Sequence, residues 1–302
     1  MNIEFLIEYI SNATKFSPIS ISLLGKGATA SVYKVEVSDN PYTIAVKHSK
    51  NSKLLKQEYN QIKFINDRVE CKLPHLYHYG ELEDGSAIMI MEYFDGVSAS
   101  KVKRIGKALP ILTDMVIDNL IKIQSIHNDK YGPVNNAVYD TWYDYYVEFA
   151  KEIYEFAYQS YCDKKIRKKV FTAVRLSYKR LNKILSTSNG KPTLIHGDYW
   201  QPNFIIDKTT YKLIGVIDPF NIMWAEPEYE LFALTVGGSK KLKLYEEYKS
   251  RVETTEYCDL KLEMYALYNE LLWHKKLGTY NNNYLLYRSR RLIKQMKKNK
   301  LL

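Results

Sequence analysis

Between Leu194 and Pro219 the chain reads Leu194-Ile195-His196-Gly197-Asp198-Tyr199-Trp200-Gln201-Pro202-Asn203-Phe204-Ile205-Ile206 and then Ile214-Gly215-Val216-Ile217-Asp218-Pro219. Two short β-branched runs flank a loop that holds Asp198 and, five residues on, Asn203; a third apolar run delivers Asp218. Phosphoryl transfer to a hydroxyl needs a carboxylate where the hydroxyl proton leaves and oxygen ligands for Mg²⁺ on the phosphates. Asp198 suits the first role, and Asn203 and Asp218 suit the second. Asp and Asn are also common in turns, so the plainer reading is a β-hairpin with acidic turn residues. The flanking strands and the second Asp together favour the chemistry.

Elements that would position a triphosphate lie upstream. Ile19 to Leu24 begins a strand that runs into Gly25-Lys26-Gly27-Ala28-Thr29-Ala30-Ser31-Val32, a strand, glycine turn and strand in the pattern G-x-G-x-x-G-x-V with Ala30 in the third glycine's place. Glycines admit phosphate oxygens close to backbone N–H groups, although a plain hairpin turn would use them too. The next strand, Ile44-Ala45-Val46-Lys47, ends on an ammonium suited to the α- and β-phosphates. Asn51 to Asn66 has Leu55, Tyr59, Ile62 and Ile65 at helical spacing and carries Glu58, the acid best placed to pair with Lys47.

These motifs, in this order, resemble the aminoglycoside phosphotransferase family of small-molecule kinases, and Trp200 is similar to the fructosamine-kinase branch. The resemblance implies an α+β, protein-kinase-like bilobal fold: an antiparallel-sheet nucleotide-binding lobe over residues 1–95, hinge included, and a helical lobe over 96–302 with catalytic loop and substrate site. It implies cofactor contacts from Gly25, Lys26, Gly27, Thr29, Ser31, Val32, Lys47 and Glu58, with Met91 as gatekeeper and the backbones of Glu92 and Phe94 meeting adenine. It also implies that His196 braces the catalytic loop. The family usually has an Asp where Glu230 stands, so the bracing role of this longer carboxylate is left open.

Protein kinases follow the metal-binding Asp with Phe-Gly and an activation segment, whereas Pro219-Phe220-Asn221 leads here within a dozen residues into Glu226-Pro227-Glu228-Tyr229-Glu230. Trp200 replaces the Lys that Ser/Thr kinases keep two residues after the base. A protein substrate is therefore disfavoured. Aminoglycosides and fructosamines are cationic, so Glu226, Glu228 and Glu230, with Asp140 and Asp144, are candidate acceptor contacts, and Tyr199 and Trp200 could pack against a sugar ring. Helix caps are the plainer reading for the acids.

The helical part opens with Thr113-Asp114 as a cap for a stripe of Val116, Leu120, Ile123 and His127. It continues with an aromatic helix from Thr141 to Tyr161 and a basic one from Lys164 to Leu185. The tail from Tyr284 to Leu302 is a basic amphipathic helix that docks on the lobe or touches an anionic surface.

At 302 residues, 46% hydrophobic and 26% charged, the composition is that of an ordinary globular chain with room for two cores. Cys71, Cys162 and Cys258 stand far apart and form no metal or disulfide pattern. An acidic amphipathic start and the lack of a ~20-residue apolar run lead to a cytoplasmic expectation. The net charge of +10 clusters at 164–169, 240–243 and 288–300 and is read as solvated helix faces, with no nucleic-acid or membrane partner and a monomer or weak dimer. The expected function is ATP- and Mg²⁺-dependent phosphorylation of a hydroxyl on a small, amine-bearing molecule such as an aminoglycoside, which would confer antibiotic resistance, or an amino sugar. Alternatives are a fructosamine- or choline-type metabolite kinase and a nucleotide-binding pseudokinase.

Overall fold

A computed structural model describes residues 2–27, 30–102, 109–188 and 190–302. Its contacts divide the chain into two compact units, Met1–Lys122 with Gln201–Phe220, and Ile123–Trp200 with Asn221–Leu302. This division does not coincide with the expected boundary at 95/96, because the chain returns to the first unit after Trp200 and pairs there with the segment behind the hinge.

The first unit is built on a five-stranded antiparallel sheet of β1 (Pro18–Lys26), β2 (Ala30–Val37), β3 (Thr43–Ser49), β4 (Leu76–Glu81) and β5 (Ala87–Glu92), in the order β1-β2-β3-β5-β4. Side chains alternate between the faces of a strand. Helix α1 (Ile3–Ala13), capped by Asn2, sets Leu6 and Ile10 against Val46, Ile88 and Ile90 on one face. Helix α2 (Ser52–Asn66), capped by Asn51, lies against β3, β4 and β5 and buries Leu55, Ile62 and Ile65. Both faces of β5 are thus covered, and Ala87 through Met91 are all buried. The same unit holds a small sheet of β10 (Leu213–Val216), β9 (Phe204–Ile206) and β6 (Val97–Ser98), in that order. Helix α3 (Leu109–Gln124) follows β6 and is already helical at Leu109, so Thr113 and Asp114 sit inside it and do not cap it.

In the second unit, strands β7 (Gly132–Pro133), β11 (Met223–Ala225) and β8 (Thr193–Ile195) form a three-stranded sheet in the order β7-β11-β8. Around it pack α4 (Trp142–Cys162), α5 (Lys168–Lys179), α6 (Leu181–Leu185), α7 (Leu244–Arg251), α8 (Cys258–Leu277) and α9 (Asn282–Lys298). The single helix expected over 164–185 is two helices, broken at Arg180. Segment Pro227–Thr235 is a 3₁₀ helix whose three-residue turn stacks Glu228, Leu231 and Leu234 inward. The aromatic helix α4 is mainly a core element: Trp142 and Tyr146 are buried and surrounded by Tyr229, Tyr265 and Tyr268. The basic tail docks, with Leu285, Leu286, Leu292 and Met296 of α9 turned into the core. The Arg288 guanidinium there donates to Glu263 at 3.0 Å, and both side chains are buried. No helix among the described residues is long and apolar enough to cross a membrane.

Candidate functional site

Strand alternation places Lys47 on the same face of β3 as Ala45, the face that α2 covers. Its ammonium donates to Glu58 of α2 at 2.7 Å and to Asp218 at 2.8 Å. Burial works against the charged ammonium, but the Asp218 and Glu58 carboxylates outweigh it and hold Lys47 above its ordinary pKa. Burial also pushes Glu58 up, to about 7, while Lys47 pulls the other way. Asp218 has φ 56°, a left-handed conformation unfavourable for a side-chain-bearing residue. Its side chain keeps 47% of its surface exposed, against 13% for Lys47.

The backbone brings the metal candidates together. The Ile217 N–H donates to the Asn203 carbonyl at 3.0 Å, so Asn203 and the residue before Asp218 are directly bonded. Among the described residues no group of three or more His, Cys, Asp or Glu forms a metal cage. Mg²⁺ does not require one; it takes one or two protein oxygens and completes its shell with phosphates and water. An amide oxygen and a carboxylate on adjacent strand ends fit that ion.

The glycine hairpin has a defined register, with Gly25 opposite Val32 and Lys26 opposite Ser31, and the Gly27 N–H donates to the Ala30 carbonyl at 2.8 Å. Thr29 lies outside the described residues. A Cβ on Gly25 would meet nothing within 4 Å, and one on Gly27 only the Ala30 oxygen at 3.6 Å. Neither position has positive φ, so the hairpin itself does not demand glycine at either place.

At the expected hinge, Met91 is buried, and the Glu92 N–H already donates to the His75 carbonyl at 2.8 Å. A backbone bond from Glu92 to a base must therefore come from its carbonyl. The ring of Phe94 lies flat enough on Gly215 that any side chain there would collide with it. Gly96 is equally confined, since a Cβ would fall 2.5 Å from the Ile206 carbonyl oxygen. These two glycines seat the hinge on the β9–β10 hairpin. Sequence reading passed over them, although Gly215, a lone Gly inside an apolar strand run, signals a close approach.

In the second unit, β8 leads into the loop carrying Asp198. Gly197 has φ 81°, which explains glycine between His196 and Asp198. The Asp198 N–H donates to His196 Nδ1 at 3.3 Å, and the buried His196 ring meets Tyr199 edge-on. Glu230 accepts from the His196 N–H at 3.1 Å and from the Gly197 N–H at 2.6 Å. The longer carboxylate therefore does brace the loop, by gripping two consecutive amides. Burial raises Glu230 to about 7 even though both amides favour its charged form.

The expected acceptor contacts need correction. Glu226, Glu228 and Glu230 are buried and engaged. Glu226 accepts from Lys261 at 2.8 Å, from Tyr265 and from Ser188, and Glu228 accepts from Thr255 and pairs with Lys261. Lys261, fully buried, is the cation that makes two interior carboxylates tolerable. Sequence reading passed over it, although a Lys between Leu260 and Leu262 in an apolar helix run could have marked it. Tyr199 has no exposed surface, because its ring is spent inside against His196. Trp200 is half-buried, and its indole N–H meets no acceptor among the described residues. Asp140 pairs with Lys130, and Asp144 closes the Thr141 cap of α4.

The sheet order, the glycine hairpin and the Lys47–Glu58–Asp218 cluster define a protein-kinase-like fold. Solved structures share it over nearly their whole length. A protein assigned as a fructosamine-3-kinase from Thermobifida fusca YX-ER1 is 14% identical, with TM-score 0.72, covering 97% of this chain and 100% of its own. One assigned likewise from Haemophilus somnus 129PT is 18% identical, with TM-score 0.68 and coverage of 93% and 92%. A thermostable mutant of the aminoglycoside phosphotransferase APH(4)-Ia, in ternary complex with ADP and hygromycin B, is 15% identical, with TM-score 0.70 and 97% coverage of both chains. No curated protein matches by sequence. The family model for fructosamine kinase matches residues 7–299, and the chain belongs to that family. It is a small-molecule kinase.

Proposed function

We propose that the protein transfers the γ-phosphoryl group of ATP to a hydroxyl of a small amine-bearing sugar derivative, a ketosamine before an aminoglycoside. The observation that carries the nucleotide half is the Lys47 ammonium, held between Glu58 and Asp218 on a strand beside a glycine hairpin. The open space around Gly25 supports it: the fold does not need glycine there, but an incoming triphosphate would. Asn203 and Asp218 would hold Mg²⁺, which when bound neutralises phosphate charge and fixes its geometry. Lys47 and the hairpin amides hold the triphosphate oxygens. Asp198, aimed by the Glu230 and His196 bonds, orients the acceptor hydroxyl and accepts its proton. Residues 1–95 serve as the nucleotide-binding lobe and the later helices as the acceptor lobe.

Family membership supports a ketosamine acceptor. So does the burial of Glu226, Glu228 and Glu230, which removes the acidic wall a polycation would use. Aminoglycoside phosphotransferases with ADP and an antibiotic bound keep the second acceptor class in view. An ATP-coupled assay across ketosamines, aminoglycosides and aminoalcohols tests the reading. Turnover with a ketosamine is expected; turnover with aminoglycosides alone would reassign the acceptor, and none with any acceptor, despite ATP binding, would favour a pseudokinase.

A further inference from the structure

Of the chain's 44 Lys and Arg, nine lie between residues 164 and 185 and seven between 282 and 302, and neither stretch contains an Asp or Glu. The remaining 28 basic residues face all 34 acidic ones, so the whole formal net charge of +10 resides in these two stretches. Distant in sequence, they are neighbours in the second unit, where α5 packs on α9. Near where both helices begin, the Asn282 side-chain amide donates to the Lys165 carbonyl at 3.2 Å. Near where both end, the Arg180 guanidinium donates to the Leu301 carbonyl at 3.4 Å. The helices therefore run parallel, side by side. At 1.5 Å per residue the shorter one is about 18 Å long.

Their apolar faces turn inward, which leaves Lys168, Lys169, Lys179, Lys294, Lys297 and Lys298 exposed on the outside. Of the sixteen cations, only Lys165, Arg288 and Arg291 form ion pairs among the described residues. Helix dipoles favour cations in the last turn, which accounts for Lys179, Lys297 and Lys298 but not for Lys168, Lys169 or Lys294. Like charges at this density repel one another unless a polyanion neutralises them.

We propose that the outer faces of α5 and α9 form a docking strip for the phosphate backbone of duplex nucleic acid. A membrane-binding helix presents apolar side chains between its cations, whereas here Val170, Val174, Leu285, Leu286, Leu292 and Met296 are buried and the aliphatic Leu176 and Ile293 are half-buried. Single strands are held by stacking on open aromatic rings, but the exposed Tyr287 ring is covered by the Arg288 and Arg291 guanidinium groups. Exposed ammonium groups on two parallel, adjacent helices suit sequence-independent contact with duplex phosphates.

Fluorescence anisotropy with labelled DNA and RNA duplexes of about 20 base pairs tests this on the full chain. Micromolar binding is expected at ~50 mM salt, with a loss of about 10³-fold by ~200 mM if some six phosphates are engaged. The variants K168E/K169E/K179E and K294E/K297E/K298E should each weaken duplex binding at least about tenfold, while kinase turnover and melting temperature stay at wild-type values. Absence of binding at the lower salt overturns the proposal. So does binding that both variants leave intact, or tighter binding to phosphatidylserine vesicles than to duplex at equal phosphate concentration.

Discussion

In the reaction proposed above, proton transfer would rest on Asp198, and its surroundings separate orientation from charge. Its loop is held by Glu230, which grips two amides, and by His196, which accepts from the Asp198 N–H. Replacing Asp198 by Ala should leave nucleotide affinity intact and lower kcat by about 10²–10⁴-fold, as steady-state kinetics with a binding titration would show. Glu230 makes a separate prediction through pH. Because burial raises it to about 7, it loses its charge, and with it the strength of the double amide grip, as pH falls through that value. kcat should therefore decline below about pH 7 in the wild type, and Glu230→Gln should be slower throughout with a shallower acid limb, the part due to Glu58 remaining. Stability runs the opposite way. An acid whose pKa is higher folded than unfolded costs nothing when protonated in both states, and the cost grows as pH rises from its ordinary 4.5 to about 7. That cost is on the order of 3 kcal/mol. Chemical denaturation at acid and neutral pH should show this difference in the wild type and a smaller one in Glu230→Gln, where Glu58, also raised to about 7, still contributes.

Two elements of the first unit carry glycines for opposite reasons, and substitution should tell them apart. Gly25 has empty space around it, so Gly25→Val should fold with unchanged melting temperature and raise KM for ATP about tenfold, equivalent to roughly 1.4 kcal/mol. Gly215 carries the Phe94 ring, so Gly215→Ala should overpack the hinge and cost about 1–3 kcal/mol in thermal unfolding before any kinetic effect. If Gly25→Val leaves KM for ATP unchanged, the hairpin is only a turn. At this scale the helices were legible where the apolar period was clean, as in α2 with its Asn51 cap. They were misread where tertiary packing overrode local signals. Thr113-Asp114 looks like a cap but lies within α3, and the acidic run at Glu226 looks like a surface feature but leads into the 3₁₀ helix Pro227–Thr235, where Glu228 and Glu230 are buried.

For the whole molecule, ATP binding to the folded state should raise the melting temperature by mass action. Mg²⁺ and a non-hydrolysable ATP analogue at about 100 times Kd should stabilise by about 2.7 kcal/mol, and Lys47→Met should abolish most of the shift. Differential scanning fluorimetry reads both. An equal shift in Lys47→Met would remove that ammonium from the nucleotide site.

The order of Gly25, Lys47, Glu58, Asp198, Asn203 and Asp218 carries the family resemblance, and that resemblance implied the fold and the reaction class. Such motifs are short, chemically constrained and written in single residues. What each remaining acid was for could not be read that way. Glu226, Glu228 and Glu230 have the look of a surface acidic run, and only their encounter with Lys261 and with the amides of His196 and Gly197 made them interior supports. The two basic stretches likewise became one surface only when α5 and α9 were laid side by side. Burial and neighbourhood decide the work of a charge, and both are properties of the folded chain, set by contacts between residues that the sequence keeps far apart.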